Sequence, residues 1–260
     1  MKSVTFILAS LNNGYDNNAE DPVTNYHFKR TLFSANRLKD KFNANVIFVD
    51  WCSNEENKYE HHLSAGIKYV HVPSFINNEL HKNNGATMLF YEWIAKDIGA
   101  YFAETKSLIF TNGDNVFSKD FMNYSWHSAN VESHWYAGYR LNISNEVFVD
   151  EEAFNIAIDA NPASFNILHE CGFCHGDFTF CSKKAYDEIG GYDYSHRHAH
   201  EDTVLSRKFE LRGITPLHID CRFYHLNHKA TGNHFISSEQ PINKPYIKDL
   251  ILKNVKAVIL

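Results

Sequence analysis

The chain has 260 residues, 44% hydrophobic and 22% charged, with a formal net charge of −6. That is enough apolar material for one substantial core, while the acidic balance and the lack of a Lys/Arg stripe exclude nucleic acid as the expected partner. Five cysteines, an odd number in a chain of this length, argue against a disulfide framework, and no stretch reaches the roughly 20 apolar residues that cross a bilayer.

Read in chain order, Val4 to Ala9 is a short apolar run ended by Asn and Gly, a buried strand rather than a signal peptide. Phe28, Leu32, Ala35, Leu38 and Phe42 recur at three and four, which predicts a helix. Val46 to Val49 is a second buried strand ending at Asp50, and Tyr69 to Val72 a third. Residues 86–103 read as a helix with a bend near Gly99. Leu108 to Thr111 is a fourth strand, running into Asn112-Gly113-Asp114. The second half gives a strand over 135–141, a helix over 150–160, a strand over 178–181 and a helix over 182–189. A helix over 202–212, closed by Gly213, and a strand over 217–225 follow. The last residues, 245–260, read as an amphipathic helix packed on the domain, with peripheral membrane or partner docking as the lesser alternative.

Strands alternating with helices predict an α/β fold, a mostly parallel sheet covered on both faces. No repeat or linker divides the chain. The expectation is one domain over 1–260: a nucleotide-binding half over about 1–115, a smaller acceptor-side, catalytic half over about 116–235, and a helical tail over 236–260. Reduced thiols and the absent leader point to a cytoplasmic protein, in which the sequons at Asn123 and Asn142 carry no meaning.

Ligands of such sheets sit beyond the carboxyl ends of the strands. Asp50 and Asp114 both follow strands directly, so both belong to that rim. A carboxylate there, as in Asn112-Gly113-Asp114, suits a hard divalent ion that takes oxygen ligands, although Asn-Gly-Asp is also simply good turn chemistry. Glu201-Asp202 opens a helix, where the dipole stabilises acidic groups. An ionised Asp fixed at a cleft there can also accept a proton from a hydroxyl.

Strand-end Asp50, Ala95-Lys96-Asp97-Ile98-Gly99, strand-end Asn112-Gly113-Asp114, Gly190-Gly191-Tyr192 and Glu201-Asp202 occur in this order. The series, over about residues 3–230, resembles nucleotide-sugar glycosyltransferases of the GT-A fold, and is most similar to the inverting family-two type and the galactosyltransferase C-terminal module. The resemblance implies a Rossmann-like sheet and transfer of a sugar from a nucleoside diphosphate sugar, a UDP-sugar first, to a glycan or other hydroxyl acceptor. It implies that Asp50 holds the base and that Lys96 stands near the nucleotide, where the family often has Arg. Asp114 would bind a divalent metal, with Asn112 in place of the family's first Asp and one negative charge fewer. Asp177 would line the sugar pocket, Asp202 would be the general base, and Glu201 would orient sugar hydroxyls. His225 is the first choice and His228 the second for a further metal ligand; imidazole suits manganese better than magnesium.

Other readings use the same residues. A catalytically degenerate sugar- or nucleotide-binding module is favoured by Asn112 and disfavoured by Glu201-Asp202. His198-x-His200-x-Asp202 begins like a metallohydrolase ligand run, but Thr203 stands where a second His would continue it. Cys171-x-x-Cys174 with Cys181 lacks a well-spaced fourth zinc ligand, since only His175 or Cys221 is left. Nucleotidyl transfer would bring a basic, Gly-rich first loop, and Ser10 to Asp16 has neither Lys nor Arg.

Overall fold

The computed structural model describes residues 3–12, 26–82, 88–124, 129, 131–144, 151–160, 165, 167–173, 176–195, 201–226 and 242–260. Four strands form its first half: β1 (Val4–Ser10), β2 (Asn45–Trp51), β3 (Lys68–Val72) and β4 (Ser107–Asn112). They lie parallel in the order β3-β2-β1-β4. Their sequences are nearly continuous apolar runs because both faces are covered. Successive side chains point to opposite faces, and burial follows that alternation. Val4, Phe6 and Leu8 enter one core with Val46, Phe48 and Ile109. Ile7, Ala9, Ile47, Val49, Leu108 and Phe110 enter the other.

Helix α1 (Tyr26–Asp40) covers the first core through Ala35 and Leu38. The second is covered by α2 (Phe75–His81), α3 (Glu92–Phe102) and elements from the far end of the chain. Beyond β4 the sheet changes character. After β5 (Asn115–Val116), α4 (Lys119–Asn123), β6 (His134–Ile143), α5 (Glu151–Ala160) and β7 (Ile167–Phe173) come β8 (Phe178–Ser182) and α6 (Lys183–Glu188), then α7 (Glu201–Leu211) and β9 (Thr215–Leu226). β8 joins β4 antiparallel, β6 joins β8 antiparallel, and β9 joins β6 parallel. The result is one mixed sheet, Rossmann-like in its first four strands, with a smaller second half.

Several boundaries differ from the sequence expectation. The helix expected over 86–103 begins at Glu92 and runs through Gly99. Its expected start is drawn onto α2 instead: Asn77 Nδ2 donates to the Leu89 carbonyl at 2.8 Å, and His81 Nε2 lies 2.6 Å from the Met88 carbonyl. α2 and β7 were not foreseen. β7 pairs only with β6, with two register irregularities, so no clean alternation marks it. The tail is not helical throughout. α8 (Lys244–Asn254) is followed by β10 (Ala257–Ile259), which pairs antiparallel with β3 at the sheet edge. Ile247 and Ile251 of α8 are buried in the core shared with α3. Among the described residues no helix is long and apolar enough to cross a membrane.

Candidate active site

The strand order reverses direction of growth between β1 and β4, and the carboxyl ends of the strands at such a switch point are where open α/β sheets bind their ligands. Ala9 of β1 pairs with Asn112 of β4, so the chain leaves both strands at one rim. Helix α1 holds this rim from behind, through a short hydrogen bond from Ser34 Oγ to the Asn115 carbonyl.

Asn112 is the centre of a polar network. Its Oδ1 accepts from Lys96 Nζ at 2.8 Å, and its Nδ2 donates to Asp177 Oδ1 at 2.6 Å. Lys96 Nζ also donates to the Gly176 carbonyl at 3.0 Å and pairs closely with Glu92, one turn earlier on α3. The second oxygen of Asp177 pairs with Arg140 of β6. The Arg140 guanidinium donates onward to Asn142 Oδ1 at 2.9 Å and to His225 Nδ1 at 3.3 Å. His225 Nε2 lies 3.0 Å from Asp114 Oδ2.

Sheet register explains the assembly. β5 pairs with β9 so that Asn115 faces His225, which brings the preceding Asp114 to that imidazole. β6 pairs Asn142 with His225, and Arg140, two residues earlier, lies on the same face. Residues distant in sequence thus converge: Lys96, Asn112, Asp114, Asp177 and His225 of the expected set are joined in one chain of contacts.

Asp202 lies beside this network, next to Gly176. A Cβ on that glycine would lie 3.1 Å from Asp202 Oδ2, so the carboxylate occupies the side that the missing Cβ leaves open, next to the residue whose carbonyl Lys96 holds. The Tyr192 phenol is pushed well above its usual range by burial and then by the charges of Glu92 and Asp202, which places both carboxylates near it. Asp202 is half-buried, whereas Glu201 is buried and accepts a short hydrogen bond from Ser195 Oγ. Of the pair, Asp202 is the more exposed.

Asp50 is placed differently from its neighbours on the rim. It has no exposed surface. Its oxygens accept from Ser53 Oγ, from the Tyr59 amide at 3.2 Å and from Tyr69 Oη at 2.6 Å. Burial raises its pKa, against the lowering effect of those donors. Ser53 in turn accepts from the Asn12 amide at 2.9 Å, so Asp50 ties the end of β1 to the loop after β2.

Glu92 and Arg140 were missed in the sequence. Glu92 stands one turn before Lys96, a spacing that pairs them on a helix face, and burial raises its pKa despite that cation. Arg140 shares its strand parity with Asn142, which was set aside as a sequon. His228, His198, His200, Cys174 and His175 lie outside the described residues, as do the side chains of Cys171 and Cys221. Cys52 and Cys181 are buried, and burial pushes the Cys52 pKa up to about 12.

Among the described residues no group of three or more His, Cys, Asp and Glu side chains is arranged to hold a metal ion. The pair Asp114–His225 fits one in kind, a carboxylate beside an imidazole, both nearly inaccessible. Among the described residues, Asp177 is paired with Arg140 and Glu92 with Lys96, while Asp114 lies against His225. Arginine only donates. His225 Nδ1 therefore accepts from Arg140, and Nε2 carries the proton toward Asp114. An ion on Nε2 requires the other tautomer and the release of Nδ1 by Arg140.

A comparison with protein-family models gives no match, and neither does one with curated proteins. Among solved structures the chain is similar to a protein from Bacillus anthracis assigned as a glucose-1-phosphate thymidylyltransferase, determined with bound sucrose. The identity is 13%, over 85% of this chain and 88% of that one, with a TM-score of 0.46. A likeness so distant says nothing about the chemistry of this chain.

Proposed function

We propose that this protein transfers a sugar from a nucleoside diphosphate sugar, with a UDP-sugar as the first candidate, to a hydroxyl acceptor with inversion. The observation that carries the reading is the convergence of Lys96, Asn112, Asp114, Asp177 and His225 at the carboxyl ends of β1 and β4, with Asp202 on the side of Gly176 where a Cβ would stand. Those are the positions singled out by the resemblance to GT-A glycosyltransferases.

In the proposed reaction Asp202 takes the proton of the acceptor hydroxyl as its oxygen forms a bond to the anomeric carbon. The bond from that carbon to the diphosphate oxygen breaks, and the nucleoside diphosphate leaves with the electron pair. Asp177, fixed between Asn112 and Arg140, accepts from donor-sugar hydroxyls. Lys96 sets the rim by holding Asn112 and Gly176 together, which fixes the distance between Asp177 and Asp202. Asp50 acts on the base from behind, by fixing the loop after β2. Glu201 braces the start of α7 through Ser195. Asp114 and His225 would hold a divalent ion, manganese by preference, and the ion would offset charge on the departing diphosphate.

A second reading, a nucleotide-sugar binding module without transfer, is favoured by one observation. The Asn112 oxygen that stands in place of a metal-binding carboxylate is occupied by Lys96.

Asp202→Asn separates the two. Transfer supported by a general base should fall by about 10²–10⁴ in kcat on its removal, while donor KM stays within about threefold, since among the described residues Asp177 and Asp114 are held by Asn112, Arg140 and His225 rather than by Asp202. Wild-type rates in that variant would remove Asp202 as the base. Donor binding with no transfer by the wild type toward any hydroxyl acceptor would favour the binding module.

A further inference from the structure

Helix α8 begins with Lys244. A cation in the first turn opposes the helix dipole, so its placement needs another reason. Lys244 Nζ donates to the Gly190 carbonyl at 2.6 Å and, in a shorter bond, to the Tyr192 carbonyl, and lies 4.9 Å from the centre of the Tyr194 ring. One turn later Lys248 donates to Asp97 Oδ2 at 2.8 Å. Asp97 is almost wholly buried and also accepts from Tyr186 at 2.8 Å and Tyr194 at 2.9 Å. From α7, Lys208 donates to the Gly191 carbonyl at 2.5 Å and to Asp193 at 2.9 Å. Two lysines, Lys244 and Lys208, therefore hold one turn, Gly190 to Tyr194, and a third, Lys248, pairs with the buried carboxylate to which Tyr194 donates.

One contact ties the end of the turn to the acidic pair. Ser195, next to Tyr194, donates to Glu201, and Glu201 precedes Asp202. Gly191 admits this packing because it has φ of +62° and because a Cβ there would lie 2.3 Å from Asp97 Oδ1. Burial, with Lys248 and Lys208 nearby, lowers the Lys244 pKa against the pull of Asp97. Its two bonds to the Gly190 and Tyr192 carbonyls hold the ammonium between the turn and α8.

We infer that α8 is a positioning element for the reaction: Lys244, a positioning residue, fixes the Gly190–Tyr194 turn and so the place of Glu201 and Asp202 beside Gly176. The inference rests on the reading of Asp202 as the base. It gives the C-terminal helix a function inside the domain and does not need a membrane or partner for it.

The test compares the full chain with Lys244→Met, which keeps the apolar stem, and Lys244→Arg, which restores the charge. Backbone amide exchange is followed at residues 192–195 and 201–205, with β1 to β4 as internal reference. Transfer kinetics are measured on the same preparations. Lys244→Met should exchange at least tenfold faster at those residues only, and kcat should fall at least tenfold with donor KM within twofold. Lys244→Arg should recover most of both. Unchanged exchange at the turn overturns the inference whatever reaction the chain performs. Faster exchange throughout β1 to β4 overturns it too, because Lys244 would then only hold the fold. Local loosening with intact kcat does the same. Wild-type protein that transfers no sugar sinks the transferase reading and this inference together, and that outcome is visible before any variant is made.

Discussion

Asp50 and Asp202 are both acidic residues at the edge of an element, yet their surroundings give them opposite work. Asp202 is half-buried and lies on the side of Gly176 where a Cβ would stand, while Asp50 is buried and bonded to Tyr59 and Tyr69. Sequence placed Asp50 at the rim and Asp202 at the start of a helix, because a strand end and a helix start are legible and the direction of one side chain is not. The Asp50 pKa is raised by burial. The folded state therefore favours its neutral form. That contribution is complete below the ordinary aspartate range and is lost as pH rises through the folded value. Wild type should gain stability over Asp50→Asn as pH is lowered from 7 toward 5, read as the difference of their urea midpoints. The opposite slope would contradict this account of Asp50. Asp114 and His225 were legible as strand-end groups with metal-binding side chains. Arg140 was not, because its significance comes from the β6–β9 register that carries it to His225.

At the scale of elements, α3 serves two sides at once. Lys96 turns to Asn112 at the end of β4 and the adjacent Asp97 to the turn held by α8. Gly99 lets the helix sink onto the sheet. A Cβ there would lie 2.5 Å from Ile7 Cγ2 and 3.2 Å from Val49 Cγ2. Ile7 is a fully buried β-branched residue with little freedom to yield. Gly99→Ala should thus cost about 1–3 kcal/mol by overpacking, measured by denaturant unfolding, despite the higher helix propensity of alanine. A gain in stability would mean that the helix rides higher on β1 than described. The parallel strands β1 to β4 were legible because continuous apolar runs, each ended by polar residues, are a strong signal. β10 was not, because its three residues continue an amphipathic pattern. Only pairing with β3 distinguishes it from helix.

For the whole molecule, one sheet joins a parallel half to a mixed half, and the proposed site uses both. β4 brings Asn112, with Asp114 just beyond it, while β6 and β9 bring Arg140 and His225. A nucleotide would be held by the first half and the acceptor by the second, with α7 and its acidic residues at the boundary. The most direct measurement is a calorimetric titration of the whole chain with UDP, GDP and dTDP, each with and without manganese, repeated for Asp114→Ala. The proposed site predicts binding of one of these nucleotides, UDP first, strengthened at least tenfold by manganese in the wild type and not in Asp114→Ala. No binding of any of the three, with or without the metal, would contradict it.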